Sequence, residues 1–180
     1  VEPPYQHNTP AIMVYSSGTT GASKGIQLTN NSINATITQY EHAGFDFVRQ
    51  DRYFAQIPIW FSTGISVTML VPLCLGITVI LEPVYNVEIF YKHISKYKPH
   101  FLITASGLVD YLRNNKEIDP AYKEFKYLSI GGEYVSPHAE KVFNEWLKKN
   151  GSIYKLHKGY GMCECGGTIT YTNAVSNKIG

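Results

Sequence analysis

Residues 16–25 carry the side chains best suited to chemistry, reading Ser-Ser-Gly-Thr-Thr-Gly-Ala-Ser-Lys-Gly directly after an apolar run at residues 11–15. Such a loop suits a polyphosphate, because glycines let backbone N–H groups converge on phosphate oxygens, hydroxyls donate further hydrogen bonds and a lysine adds positive charge. The alternative is a flexible turn that only joins two elements. A Walker A loop is excluded because Ser23 precedes Lys24, and no Gly-x-Gly-x-x-Gly fingerprint for a dinucleotide occurs.

Two later segments place glycines beside an acidic or aromatic residue. Residues 129–133 read Ser-Ile-Gly-Gly-Glu, and residues 158–164 read Lys-Gly-Tyr-Gly-Met-Cys-Glu. Each lies at the end of a predicted strand, so each is either a ligand-binding loop or a turn that merely needs small residues. A weaker alternative is that Cys163 and Cys165 bind a metal ion together, because no further cysteine or histidine cluster completes a tetrahedral ligand set.

Short apolar runs alternate with helical patterns along the chain. The predicted strands cover residues 11–15, 53–57, 77–81, 100–104, 127–130 and 152–156. The clearest predicted helix has Ser136 as its N-cap and Pro137 as its first residue, is stopped by Gly151, and carries an apolar stripe on one face. Further helices are predicted near residues 32–43, 87–97 and 106–114.

The stretch 54–81 contains no charged residue. A bilayer span needs about 20 apolar residues, but Pro58, Gly64, Pro72 and Gly76 interrupt this stretch. We therefore expect a buried strand, helix and strand in succession, and no membrane span.

The order of the elements predicts a single α/β domain, since no internal repeat or long linker divides the chain. Strands that alternate with helices and are apolar on both faces indicate a mostly parallel sheet with helices on both faces. In such sheets ligands bind beyond the carboxyl ends of the strands. The three segments above are therefore expected at that edge.

Together, these segments resemble a known family. Residues 15–25 resemble the signature loop of the adenylate-forming (AMP-binding) superfamily of acyl-CoA synthetases, luciferases and peptide-synthetase adenylation domains, and the other two segments follow in the family's order. The resemblance implies an enzyme that uses ATP to convert a carboxylic acid to an acyl-adenylate and then transfers the acyl group to a thiol, usually that of coenzyme A. A carrier-protein thiol as acceptor and a non-catalytic nucleotide-binding module are the alternatives.

The resemblance also assigns roles to residues. It implies a triphosphate site formed by Ser16, Ser17, Gly18, Thr19, Thr20, Gly21 and Lys24. It implies an adenylate site formed by Gly131, Gly132, Glu133, Tyr160, Gly161 and Cys163, with the Tyr160 ring beside adenine. Glu164 is then the Mg²⁺ ligand, because carboxylate oxygen suits that ion. Catalysis by positioning and charge stabilisation falls to Thr20, Lys24 and Glu164.

The acid is expected to contact Phe61, which stands where the family has an aromatic residue or histidine beside the acyl substrate. The alternative is that Trp60 and Phe61 are ordinary aromatic residues of the core. None of the six histidines stands at ligand spacing, and no general base is expected because a carboxylate is already ionised at neutral pH. Aliphatic, aryl and amino acids all remain compatible with the sequence. Cys163 replaces the family's usual threonine, and its thiol is a weaker hydrogen-bond donor.

Bulk properties exclude several classes of function. The 180 residues carry a formal net charge of +2 and are 44% hydrophobic, which suits an ordinary globular domain without the basic surface that nucleic acid requires. Three cysteines form no disulfide framework, so a reducing cytoplasm is expected. The family resemblance further implies that residues 1–180 are a partial adenylation domain without the small C-terminal domain. We therefore expect weak ATP binding and little adenylation from these residues alone.

Overall fold

The computed structural model describes residues 4–16, 21–82, 86–108, 111, 125–149, 152 and 154–172. Its strands are β1 (Pro10–Ser16), β2 (Lys24–Thr29), β3 (Arg52–Ala55), β4 (Thr78–Leu81), β5 (Phe101–Thr104), β6 (Tyr127–Gly131), β7 (His157–Tyr160) and β8 (Thr170–Tyr171). Its helices are α1 (Asn30–Glu41), a π-helix (Thr63–Leu70) that continues into α2 (Val71–Cys74), α3 (Val87–Tyr97) and α4 (Pro137–Lys149), with a short 3₁₀ turn at Cys163–Cys165.

Six strands form the central sheet in the order β4-β3-β5-β6-β7-β8. The pairs from β4 to β7 are parallel, and only β8 runs antiparallel to its neighbour β7. The predicted α/β fold with a mostly parallel sheet is therefore confirmed. Because β6 and β7 are parallel neighbours, the loops that follow them leave the same edge of the sheet.

The first two strands form a separate antiparallel pair in which Ser16 lies opposite Lys24. The predicted strand over residues 11–15 is confirmed, but β2 was not predicted from the sequence. The loop between these strands is thus a hairpin connection, and its two ends are held together by the strand pairing.

Helices cover both faces of the central sheet, as the sequence indicates. On one face, Phe54 and Leu102 pack in a cluster with Ile94 of α3 and Phe143 of α4. The opposite face presents a second cluster that includes Tyr53, Ile77, Phe101 and Tyr127. On that side Tyr40 of α1, Val67 of the π-helix and Val71 of α2 pack against partly buried neighbours such as Phe45 and Ile103.

The uncharged stretch 54–81 forms a strand, a helical segment and a strand, as predicted. The helical segment begins as a π-helix, a rare form that is frequent near functional sites. Gly64 lies in this π-helix so close to residue 58 that a Cβ atom would stand 2.0 Å from the Pro58 carbonyl oxygen. None of the helices in the described ranges has the length and apolar character needed to cross a bilayer.

The remaining predictions differ in outcome. Helix α4 is confirmed, and the Ser136 hydroxyl accepts a hydrogen bond from the Ala139 amide at 3.1 Å. The helices predicted near residues 32–43 and 87–97 are confirmed by α1 and α3. The helix predicted near residues 106–114 lies largely outside the described residues. Gly151, which was predicted to end α4, also lies outside them.

The strand predicted over residues 152–156 is wrong, because β7 begins only at His157. Among the described residues of that stretch, hydrogen bonds to side chains replace strand pairing. The Ser152 hydroxyl accepts from the Tyr154 amide at 3.2 Å, and the Asn144 side chain accepts from the Leu156 amide at 2.7 Å. The described residues of this stretch, 152 and 154–156, therefore form no strand before β7.

Candidate functional site

A cavity of about 450 Å³ opens at the carboxyl ends of β6 and β7 and extends between the central sheet and the side formed by α1 and the π-helix. Six residues predicted from the sequence to bind nucleotide or acid line it: Phe61, Gly131, Gly132, Tyr160, Gly161 and Cys163. The structure thus brings together three segments that are far apart in the chain. The volume of the cavity falls within the range of small-molecule sites, roughly 300–1,000 Å³.

Glycines at the strand ends let backbone segments approach one another at the mouth of this cavity. Gly131 pairs with Gly159, and a Cβ atom on Gly131 would lie 3.3 Å from the Gly159 carbonyl oxygen. A Cβ atom on Gly161 would lie 1.5 Å from the carbonyl oxygen of Gly167, which no side chain tolerates. These glycines fix the path of the backbone around the cavity mouth.

The 3₁₀ turn at Cys163–Cys165 connects the mouth to the β1-β2 hairpin. Cys163 packs against the hydrophobic cluster formed by Val14, Leu28 and Ile33, which belong to β1, β2 and α1. Gly166 follows in the left-handed region, with φ 73°, and a Cβ atom there would stand 2.8 Å from the Thr36 hydroxyl. The hairpin and the Tyr160-to-Glu164 segment therefore lie side by side, as the predicted nucleotide site requires.

The polar residues predicted from the loop stand at the open end of the hairpin. Ser16 is half-buried at the end of β1, while Gly21 and Lys24 are exposed. Four predicted triphosphate residues, Ser17, Gly18, Thr19 and Thr20, lie outside the described residues.

Glu164 is exposed on the 3₁₀ turn, beside Cys163 but not in the cavity lining. Within the described ranges, no group of three or more His, Cys, Asp and Glu side chains forms a metal cage. A single exposed carboxylate nevertheless fits Mg²⁺, which usually keeps several waters and binds through one or two carboxylates together with substrate phosphates. The Glu164 carboxylate therefore fits a magnesium ion carried by the nucleotide.

Glu133 has a local structural partner, since its carboxylate accepts a short hydrogen bond from the Ser106 amide. This contact ties the loop after β6 to the loop after β5. Gly132 lies between this contact and the cavity, with φ 81°, a conformation that favours glycine.

Phe61 and Trp60 are both exposed, at 47% and 64% of their surface. The interpretation of these rings as ordinary core aromatics is therefore wrong. Only Phe61 lines the cavity, and the centroids of the two rings are 6.3 Å apart.

The inner wall of the cavity was not predicted from the sequence. It consists of aromatic side chains from α1, the segment after it, three strands of the sheet and β8: Tyr40, Phe45, Phe47, Tyr53, Phe101, Tyr127 and Tyr171. Only the part of the lining on β6 had a signal in the sequence, because Tyr127, Ser129 and Gly131 lie on one face of that strand and small residues follow a large one toward its carboxyl end.

The wall is uncharged at neutral pH. Burial raises the pKa of Tyr40 to about 12 against the opposing effect of its hydrogen bond to Thr168, and burial also raises the pKa of Tyr53, Tyr127 and Tyr171. All four phenols therefore stay protonated. Among the described residues that line the cavity, none is Asp, Glu, Lys, Arg or His.

The AMP-binding enzyme family matches residues 1–180 of the chain. The chain belongs to this family. This membership confirms the resemblance drawn from the sequence.

Named relatives of this AMP-binding chain are coenzyme A ligases. It is 29% identical over 164 residues to the 4-coumarate–CoA ligase-like 6 protein of Arabidopsis thaliana, covering 86% of the chain and 28% of the relative. It is 30% identical over 174 residues to the long-chain-fatty-acid–CoA ligase of Haemophilus influenzae, covering 92% of the chain and 30% of the relative. The chain thus spans less than a third of the length of these curated relatives.

Among solved structures, the O-succinylbenzoate coenzyme A synthetase of Bacillus subtilis in complex with ATP and magnesium ion matches with a TM-score of 0.76. The match covers 94% of this AMP-binding chain and 34% of that structure at 20% identity. At this level of identity the likeness shows a shared fold.

Proposed function

We propose that this chain forms the nucleotide and acid site of an AMP-forming acid–thiol ligase that activates a carboxylic acid with ATP and transfers it to coenzyme A. The observation that carries the proposal is the cavity at the carboxyl ends of β6 and β7, which the Tyr160 segment joins to the hairpin of the polyphosphate loop. Membership of the AMP-binding family and the two coenzyme A ligase relatives support it.

In this proposal the substrates occupy different ends of the site. Lys24 and Ser16 flank the hairpin loop, where backbone N–H groups, hydroxyls and one ammonium group suit the β- and γ-phosphates. Tyr160, at the cavity mouth and 59% exposed, offers a ring face for adenine. The deeper aromatic wall is left for the body of the acid.

In the proposed reaction, a carboxylate oxygen of the acid attacks the α-phosphorus of ATP, the bond from that phosphorus to the bridging oxygen breaks, and pyrophosphate leaves. The thiol sulfur of coenzyme A then attacks the acyl carbonyl, the bond from the acyl carbon to the AMP oxygen breaks, AMP leaves and the thiol proton passes to solvent. No general base is needed for the first step, because the acid is ionised at neutral pH. The chain contributes positioning and charge stabilisation through Lys24 and the loop backbone.

Glu164 would hold the magnesium ion that accompanies the nucleotide. When bound, the ion supplies positive charge that offsets the phosphate oxygens. Glu164 shares its 3₁₀ turn with Cys163, which packs against the hairpin cluster, so the backbone that carries Glu164 lies beside the hairpin.

Isothermal titration with ATP and Mg²⁺ tests the proposal. We expect the parent chain to bind, and Lys24→Ala and Glu164→Ala to weaken binding by about tenfold or more, since a charge-assisted hydrogen bond contributes about 1.5–3 kcal/mol. Lys141→Ala and Glu145→Ala are matched controls, because these exposed side chains lie on α4 and face solvent. Both controls should bind ATP as the parent does.

Exchange of labelled pyrophosphate into ATP, in the presence of a panel of carboxylic acids, tests the chemical step. Exchange that depends on an acid supports acyl-adenylate formation. A folded chain, verified by circular dichroism, that binds no ATP would contradict the proposal. ATP binding that is equal in the parent and in Lys24→Ala and Glu164→Ala would contradict the location of the site.

A further inference from the structure

The edge of the central sheet opposite the cavity mouth carries an excess of positive charge. At this edge the parallel strands begin, and α2, α3 and α4 end before the strands that follow them. The described lysines and arginines located there are Arg49, Arg52, Lys96, Lys98, Lys126, Lys148, Lys149 and Lys155, which we call the basic edge. The described acidic residues located there are Glu41, Asp46 and Asp51.

We propose that the basic edge docks on a membrane surface that contains anionic phospholipids, with the exposed side chains of Val48 and Leu73 entering the headgroup layer. This interaction is additional to the proposed function and does not depend on it. The cavity opens at the carboxyl ends of β6 and β7. A chain docked by the basic edge therefore keeps the cavity mouth away from the membrane and open to nucleotide.

Contacts between strand ends make the basic edge continuous. The Lys126 ammonium group lies 3.0 Å from the Asp51 carboxylate and donates to the Asp46 backbone carbonyl at 3.1 Å. The Asp46 carboxylate accepts a hydrogen bond from the Tyr154 hydroxyl at 3.2 Å, and Tyr154 precedes Lys155. These contacts hold the residues before β6 and β7 against the loop before β3.

Arg52 joins the end of α3 to the same edge. Its Nε atom donates to the carbonyl oxygens of Tyr97 and Lys98, each at 2.8 Å. The His100 amide donates to the Arg52 carbonyl at 2.8 Å, and the Lys126 amide donates to the His100 carbonyl at 2.8 Å. The cations around α3 therefore lie beside those around β6.

Local structure accounts for only part of this charge. The helix dipole favours cations in a last turn, which explains Lys96, Lys148 and Lys149. It does not explain Arg49 or Lys155, which are exposed in the segments before β3 and β7. The cations of the basic edge outnumber its carboxylates by more than the formal net charge of +2 of the whole chain, so the remaining residues are net negative. The fold thus gathers lysines and arginines that are scattered along the sequence.

Exposed apolar side chains beside Arg49 favour a lipid surface over a nucleic acid. Val48 and Leu73 are 47% and 53% exposed. A Cβ atom on Gly76 would lie 3.4 Å from Cγ of Arg49, and the Gly76 amide donates to the Leu73 carbonyl at 3.1 Å. A membrane interface accepts apolar side chains while its anionic headgroups attract lysine and arginine. A nucleic acid backbone attracts the same cations but offers no apolar layer.

Co-sedimentation of the chain with vesicles tests the docking. Vesicles of phosphatidylcholine that contain about 30% phosphatidylserine are compared with vesicles of phosphatidylcholine alone. We expect the chain to bind the anionic vesicles at least about tenfold more tightly. Most of this binding should be lost between about 0.1 M and about 0.5 M salt, because salt screens exposed charges. Equal binding to the two kinds of vesicle, or binding to neither, would overturn the inference.

The double variant Lys148→Gln/Lys155→Gln tests the position of the docking surface. Both side chains are exposed, and removal of two charges near the membrane should weaken binding to anionic vesicles at least about tenfold. The matched control is Lys92→Gln/Lys141→Gln, which removes the same charge from exposed residues of α3 and α4 outside the basic edge. Equal weakening by the two double variants would show that binding follows net charge alone, and would overturn the basic edge as the docking surface.

Leu73→Ser tests whether the partner is a lipid surface. We expect binding to anionic vesicles to fall about fivefold, because an apolar side chain no longer enters the headgroup layer. Leu81→Ser is the matched control, since Leu81 is 57% exposed at the carboxyl end of β4, and this variant should bind as the parent does. Unchanged vesicle binding by Leu73→Ser, with folding verified by circular dichroism, would contradict the lipid surface.

A DNA duplex, titrated at the same salt concentration, provides the competing anionic partner. The parent chain should bind the anionic vesicles more tightly than the duplex. Tighter binding to the duplex would overturn the lipid surface and assign the basic edge to nucleic acid. If Leu73→Ser does not fold, this comparison on the parent chain still decides the class of partner.

Discussion

The hydroxyl groups of Tyr40 and Thr168 lie 3.0 Å apart and form a hydrogen bond between residues 128 positions apart in the chain. Tyr40 belongs to α1, and Thr168 follows the 3₁₀ turn that carries Glu164. Both residues line the cavity. This bond therefore joins the helix behind the hairpin to the segment that would contact the nucleotide.

Removing this bond should loosen the turn. We expect Tyr40→Phe and Thr168→Val each to lower the free energy of unfolding by about 1 kcal/mol, the usual net contribution of one hydrogen bond. The double variant should be less destabilised than the sum of the two, with a coupling energy of about 0.5–1 kcal/mol in urea denaturation. Additive effects would show that the two hydroxyls do not interact in solution.

Gly161→Ala should disrupt the cavity mouth, because the new methyl group would collide with the backbone of residue 167. We expect a loss of at least about 2 kcal/mol in the free energy of unfolding, as overpacking against immobile backbone predicts, together with lost ATP binding. Gly107→Ala serves as the control, since nothing lies within 4 Å of a Cβ atom at that position. Equal stability of the two variants would contradict the close approach of the two backbone segments.

Bound nucleotide should shield the Cys163 thiol from alkylation. Cys163 is half-buried in the cavity lining, whereas Cys74 is exposed on α2. With ATP and Mg²⁺ at about ten times the Kd, iodoacetamide should modify Cys163 about tenfold more slowly, because only about a tenth of the chain stays free. Mass spectrometry of the two peptides measures both rates, and Cys74 should react at an unchanged rate. Equal rates with and without ATP at Cys163 would place the nucleotide elsewhere.

Acid should destabilise the chain through His157. Its Nδ1 atom lies 2.6 Å from the Thr172 carbonyl oxygen, and burial lowers the pKa of the imidazole below its ordinary value of 6.5. Below pH 6.5 the unfolded chain binds a proton at this site that the folded chain does not, so stability falls as the pH falls.

The comparison with His157→Gln isolates this effect from other titrating groups. Between about pH 7.5 and about pH 5.5, the parent should lose up to about 1.4 kcal/mol more in free energy of unfolding than the variant. Urea denaturation at the two pH values measures the difference. A parallel loss in both proteins would show that His157 remains able to bind a proton in the folded state.

Local patterns in the sequence were sufficient for most of the elements, because periodicity and caps are local signals, although β2 and β8 were not predicted. Helix α3 has the predicted bounds, and Ser136 caps α4 as expected. The strand placed over residues 152–156 failed because hydrogen bonds to the Ser152 and Asn144 side chains decide that conformation. Such contacts are set by the tertiary structure and leave no periodic signal.

The candidate site, like the fold, was only partly predictable from the sequence. Phe61, Tyr160 and Gly131 were found from short motifs, and the structure brings them to one cavity. The aromatic wall was missed because Tyr40, Phe45 and Tyr171 come from separate segments, and their convergence depends on how the helices pack on the sheet. No spacing rule in a single sequence predicts such a convergence.

The hairpin and the six-stranded sheet have separate hydrogen-bond ladders. The proposed polyphosphate loop belongs to the hairpin, and most of the aromatic wall of the cavity belongs to the side of the six-stranded sheet. A substitution on β6 that alters the preferred acid therefore leaves the strand pairing around Lys24 intact. A change of acid substrate would then require no change in the part of the site that binds ATP. The residues that contact the acid could therefore change in evolution while those that contact the phosphates stay the same.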